Sequence, residues 1–186
     1  DLFKVNSKGP HLSSGPGRIF MAKKKTNKNT GTIVSAAALL MGVLALCLAG
    51  FMAAVAFGEG ENAYTATGFA AAFGWKQKVG SGSIAWSEFN FLIMLALFLP
   101  LIGGILAVVK GKLFGFIALV AFVAGAVLLF LCPSLLENSL TDAGKVGVGI
   151  AGLVGVKAAL GVGAILGGIF SVLGALAAAA KTFFVK

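Results

Sequence analysis

The chain has 186 residues, of which 59% are hydrophobic and only 11% charged, and it carries a formal net charge of +9. A soluble domain is nearer half apolar and a quarter charged, and a fold of this size leaves too much surface exposed to hide so many apolar side chains from water. The excess of lysine and arginine does not point to nucleic acid: the positive charges sit in a short N-terminal arm and at the ends of apolar runs, not on a face interleaved with aromatics.

In chain order, residues 1–20 are polar, rich in Gly, Pro and Ser, and lack helical periodicity, after which Met21 opens MAKKKTNKN. Residues 1–20 are therefore expected to be an upstream or vector-derived extension outside the fold. A basic arm over 21–32 follows, with Lys23, Lys24, Lys25 and Lys28. Residues 33–57 are uncharged and apolar, long enough to cross a hydrocarbon core of about 30 Å and longer than the core of a signal peptide. They read as a first membrane span.

Residues 58–88 form a connector with Tyr64, Phe69, Phe73, Trp75 and Trp86. Phe69 and Phe73 are one helical turn apart, and tryptophan suits the headgroup layer. A short interfacial helix is expected in this first outer loop, with the five aromatics forming either a membrane belt or a cap that contacts a partner or ligand. The second span, 89–109, has Pro100 near its middle, followed by Gly103 and Gly104. Proline removes a backbone donor and clashes with the preceding turn, so a kink is expected there.

Only Lys110-Gly111-Lys112 separates this run from the third span, 113–131, which forces an antiparallel hairpin. Residues 132–157 make a second outer connection with Glu137, Asn138, Thr141, Asp142 and Lys145. The remaining apolar stretch, 146–180, is too long for one ordinary span, at about 52 Å as a helix. Lys157 interrupts it, so the fourth span is placed at 158–180 with a tail at 181–186. Lys157 then snorkels to the outer interface or, in the sharper alternative, is a charge inside the membrane. Gly147, Gly149, Gly152 and Gly155 fall in a helical extension or an irregular packed segment.

Lysine and arginine concentrate in the N-terminal arm, the tight hairpin and the tail, whereas the other two loops hold Glu59, Glu61, Glu88, Glu137 and Asp142 against Lys76, Lys78, Lys145 and Lys157. The positive-inside bias places both termini in the cytoplasm, as an even number of spans also requires. The expected fold is thus an all-α, integral membrane four-helix bundle, and its location the plasma (inner) membrane. Helices in a bilayer associate through small residues that allow close backbone approach. Gly161, Gly163, Gly167 and Gly168 offer such a surface, with GxxxG steps at Gly163/Gly167 and Gly111/Gly115. These glycines pack this chain's own bundle or mate with another subunit, so the expected partners are the bilayer together with a homo-oligomer or other membrane subunits.

The glycine-alternating stretch over 147–168 resembles the ring-forming proteolipid subunits of rotary ATPases. Those subunits need a carboxylate within a span, and no apolar run here contains Asp or Glu. The tetraspan order, with a longer first outer loop, is similar to that of claudin-like proteins, but the paired cysteines of their first loop are missing from 58–88. Neither mechanism carries over.

Chemistry is sparse. The one histidine, His11, falls in the expected extension, and no His/Cys/Asp/Glu cluster has metal-ligand spacing. Cys47 and Cys132 read as small membrane-compatible side chains, and Ser35 and Ser171 as serines bonded to their own helices. No catalytic residue, metal or cofactor is expected. The leading expectation is a non-enzymatic structural or accessory subunit that packs with other membrane chains. The alternative is a small channel or transporter with a gate or site near Pro100 and Lys157.

Overall fold

A computed structural model describes residues 28–58, 64–79, 82–153 and 157–184. The expected extension over 1–20, most of the basic arm, Glu59 and Glu61 of the first loop, Gly155 and the last two residues lie outside the described residues.

Four long helices make the body: α1 (Lys28–Phe51), α3 (Phe91–Val108), α4 (Lys112–Phe130) and α7 (Val162–Phe184). All four are long and apolar enough to cross a membrane, as a multi-pass membrane protein requires. They pack in the cyclic order α1–α3–α4–α7, so the first and last are neighbours and every adjacent pair is antiparallel. Gly111, with φ of 127°, turns the chain between α3 and α4, a backbone conformation that a residue with a Cβ rarely adopts.

The interior of the bundle is built from small residues. Ala38, Ala45, Ala49, Ala96, Ala107, Ala118, Ala126, Ala164 and Ala178 are buried, together with Gly103, Gly104, Gly167 and Gly174. The outward faces carry Ile102, Ile105, Val120, Val127, Ile169 and Leu176, each 43–62% exposed. In water this distribution reverses the usual rule for side-chain burial. In lipid it is the expected one, because close packing rather than hydrophobicity joins the helices.

A few large side chains fill the space left between the helices: Ile93 and Leu97 of α3, Leu129 of α4 and, largest of all, Phe122. The Phe122 ring of α4 is fully buried, lying over Gly103 of α3 and Gly174 of α7. Across the same seam, Ser171 Oγ donates to the Phe122 carbonyl at 2.8 Å. Ser171 therefore joins two helices, contrary to the expectation that it bonds within its own. Ser35 does bond within its own helix, to the Gly31 carbonyl at 2.9 Å.

The all-α expectation needs correction. At one end of the bundle the chain folds into a cap with two small antiparallel sheets. In the first, β1 (Ala53–Phe57) lies between β2 (Tyr64–Thr67) and β5 (Ala158–Leu160). The second is a hairpin of β3 (Lys76–Val79) and β4 (Gly82–Ala85). Three short helices complete the cap: α2 (Gly68–Phe73), α5 (Cys132–Glu137) and α6 (Asp142–Leu153).

Two expected span boundaries shift for the same reason. The first apolar run does not stay helical to Phe57, because 53–57 leaves the helix to pair on both edges, with β2 and β5. The final helix starts at Val162 rather than 158 and continues to Phe184, since 158–160 is the strand that pairs with β1. Gly161 sits at that joint, donating its N–H to the Ala54 carbonyl at 2.9 Å. A Cβ there would collide with the Ala53 backbone, so the close crossing of strand and helix depends on glycine.

Candidate functional site at the capped end

The cap is the part of the molecule with specific polar geometry, and Asn90 is its most connected side chain. It is the N-cap of α3, where Oδ1 accepts from the Leu92 and Ile93 N–H groups at 3.0 and 3.1 Å. Its Nδ2 donates to the Leu135 carbonyl in α5 at 2.7 Å, and its backbone N–H donates to the Ala72 carbonyl in α2 at 2.8 Å. One residue thus ties together three cap or span elements. The signal was present in the sequence as an Asn ahead of an apolar run, but a run taken to begin at Phe89 conceals it.

Above Asn90 lies an aromatic stack. Phe57 of β1 and Trp75 are parallel within 5°, with centroids 5.8 Å apart, and Trp75 meets Trp86 at 5.5 Å. Ser87 Oγ accepts from the Trp75 N–H at 3.0 Å, and the Trp75 carbonyl accepts from the Trp86 N–H at 2.7 Å. Trp75 is 7% exposed. Trp75 is thus a core residue of the cap, and Trp86 packs half-buried against it. Residues 75 to 78 alternate Trp, Lys, Gln, Lys, which puts Trp75 and Gln77 on the inner face of the hairpin and Lys76 and Lys78 on the exposed one.

Trp86 also seats α6. Thr141 Oγ1 donates to the Ala85 carbonyl at 2.7 Å and accepts from the Gly144 N–H at 3.1 Å, capping the helix. Gly144 and Gly147 lie against the backbone and ring of Trp86, where any Cβ would clash. Two buried atoms of this region, Trp86 Nε1 and Gln77 Oε1, have no hydrogen-bond partner among the described residues.

Cys132, at the junction of α4 with the cap, is fully buried, and burial pushes its thiol up to about 12. It is held as an uncharged apolar side chain. Cys47 is exposed on α1.

The remaining expected site residues fall into three groups. Gly163, Gly167 and Gly168 face inward, under Leu48 and Ala53, Ala45 and Ala49, and Phe130 respectively, so their small surface is spent inside this chain. Gly115 receives Thr182 of α7, while Gly111 makes the turn already described. Pro100 is fully buried within a helix that runs on without a break, its carbonyl against Gly42 of α1 and its ring against Gly125 of α4. Lys157 is exposed just before β5, outside the four long helices, and is not brought together with Pro100. Tyr64 is exposed at the start of β2.

At the opposite end, Lys181 is a feature that sequence reasoning assigned to a tail. It lies in the last turns of α7, where its ammonium donates to the carbonyls of Ala107 and of Val109, the latter at 2.9 Å. A cation on the terminal carbonyls of α3 both satisfies orphan acceptors and complements the helix dipole.

No group of His, Cys, Asp and Glu side chains that would hold a metal occurs among the described residues. Compared with protein-family models, with curated proteins and with solved structures, the chain has no match.

Proposed function

We propose that this chain is a four-pass membrane protein that acts without catalysis, as a structural or accessory component presenting its folded cap at one membrane face. The observation that carries this reading is the inverted side-chain distribution of the bundle, with mostly alanine and glycine inside and most of the large aliphatics outside. A bilayer is the solvent that this arrangement fits.

Charge supports an orientation. Lys110, Lys112 and Lys181 all lie at the uncapped end, the end at which α1 begins. By the positive-inside bias that end is cytoplasmic and the cap faces outward, with both termini inside, in the plasma (inner) membrane.

The interior favours a supporting role over transport. Phe122 plugs the axis, Pro100 is wedged between two glycines, and Lys157 stands in the cap rather than among the spans. Transporter sites are built from broken helices and intramembrane polar groups. Because the glycine surface is used within the chain, contacts with other subunits or with a second copy are assigned to the cap and to the outward helix faces.

Purification in mild detergent followed by native mass measurement tests the reading. A stable stoichiometric assembly is expected. A lone monomer that moves a solute across liposomes, and stops doing so on Lys157→Ala, would overturn it in favour of the channel alternative.

A further inference from the structure

The cap carries a row of phenylalanines that the aromatic core does not use. Phe51, the last residue of α1, meets Phe69 edge-on at 5.0 Å. Phe69 stacks on Phe73 at 6.4 Å, and Phe73 meets Phe89 at 6.1 Å, two residues before α3 begins. Three of the four rings are more than half exposed: Phe51 at 72%, Phe73 at 55% and Phe89 at 55%.

The height of this row is set by backbone contacts. Gly68, which opens α2, lies directly on the Ala49 carbonyl, and the Phe69 ring lies on Gly50. The short helix is therefore clamped against the last turn of α1, level with the start of α3. Its exposed rings continue the apolar outer surface of both helices, through Val43 on α1 and Phe91 and Leu92 on α3. No charged side chain occurs in residues 64–75 or 89–109. Among the described residues, the exposed charges of the cap are Lys76 and Lys78 of β3, Glu137 of α5, Asp142 and Lys145 of α6, Lys157 ahead of β5, and Glu88, which borders the row next to Phe89.

We infer that α2 is immersed in the bilayer at acyl-chain level on the α1–α3 side of the cap, with the ladder Phe51–Phe69–Phe73–Phe89 in contact with lipid tails. Phenylalanine has no polar handle, unlike the tryptophan and tyrosine that mark the headgroup layer. An all-phenylalanine row belongs below that layer, with Glu88 beside Phe89 marking the end at which the row reaches the headgroups. The inference rests on the four-pass reading above and adds a depth and a side to it: the cap does not sit on the membrane but is sunk into it along one flank.

Nitroxide labels on single cysteines, in a Cys47→Ala, Cys132→Ala background reconstituted into phosphatidylcholine–phosphatidylglycerol vesicles, test it. Labels at Phe73→Cys and Phe89→Cys should show an oxygen-to-nickel-chelate accessibility ratio several-fold above that at Tyr64→Cys. Ile105→Cys, on the outward face of α3, reports separately on the four-pass reading. If Ile105 shows lipid access while Phe73 and Phe89 match Tyr64, or are shielded from both reagents by a protein surface, the immersion of α2 is refuted and the spans stand. If Ile105 itself behaves as water-exposed, both readings fail. Should a label disrupt the cap, seen as loss of the circular-dichroism coupling between Trp75 and Trp86, Phe73→Trp takes its place. Its fluorescence should be quenched by lipids brominated on the acyl chain, and absence of that quenching overturns the inference.

Discussion

Asn90 and Leu135 are joined by a 2.7 Å hydrogen bond from a side-chain amide to a backbone carbonyl, 45 residues apart in sequence. The same amide caps α3 through its oxygen, so one side chain makes a local and a long-range connection at once. Asn90→Ala should cost about 1–2 kcal/mol for the lost cap and a further ~1–3 kcal/mol for the abandoned carbonyl. Asn90→Asp keeps the cap but places a carboxylate where a donor is needed, so its loss should fall between alanine and wild type. Thermal unfolding of the three proteins in one detergent gives the order.

Two glycines that look alike in sequence should respond oppositely to alanine. At Gly42 a Cβ would stand 2.5 Å from the Pro100 carbonyl oxygen, which is backbone and cannot swing away, whereas nothing lies within 4 Å of the corresponding position at Gly149. Gly42→Ala should destabilise by about 1–3 kcal/mol through overpacking. Gly149→Ala, in exposed helix, should stabilise by up to about 1 kcal/mol. A lowered melting temperature for the second would contradict the open space described there.

Phe122 of α4 is the volume on which α3 and α7 close. Phe122→Ala should cost about 3–5 kcal/mol, and Phe122→Leu clearly less, since part of the axis remains filled. Stability toward denaturant in mixed micelles is the suitable measurement.

Cys132 should make stability fall at alkaline pH. Its thiol titrates near 12 in the folded protein, above its ordinary value of 9.0, so the unfolded chain loses its proton first as pH rises. The neutral thiol's contribution is complete below about pH 9 and declines between 9 and 12. Wild type should lose stability over that window relative to Cys132→Ala, and Cys132 should resist maleimide until the protein is unfolded.

The buried oxygen of Gln77 has no donor among the described residues, and replacing an orphaned polar group by an apolar one of similar shape removes its desolvation cost. Gln77→Met should raise the melting temperature, by an amount equivalent to about 1–3 kcal/mol.

The first three long helices were legible as uncharged apolar runs of bilayer length, the fourth once Lys157 divided an over-long run, and the Lys110-Gly111-Lys112 turn could only be a hairpin. The cap was not, for reasons visible in particular residues. Strand 53–57 reads Ala-Ala-Val-Ala-Phe, which continues the helical run without a breaker or a β-branched cluster, and one of its pairing partners, 158–160, is far along the chain. Propensity is a weak prior that such pairing overrides. The hairpin offered a readable sign in the alternation of Trp75, Lys76, Gln77 and Lys78, but aromatic composition drew these residues toward a membrane belt. Glycine content announced close packing without saying which faces meet; Gly163 and Gly167 turned out to be covered by α1.

Because α7 closes the ring against α1, and β5 closes the first sheet against β1, the start and finish of the fold are stitched to one another at both levels. During synthesis the opening helix and strand emerge long before their mates exist. They must wait beside the translocon with an open flank until the final span arrives. A truncation that removes only β5 and α7 would therefore leave no smaller version of the protein, but an unsealed precursor that quality control would recognise by that flank.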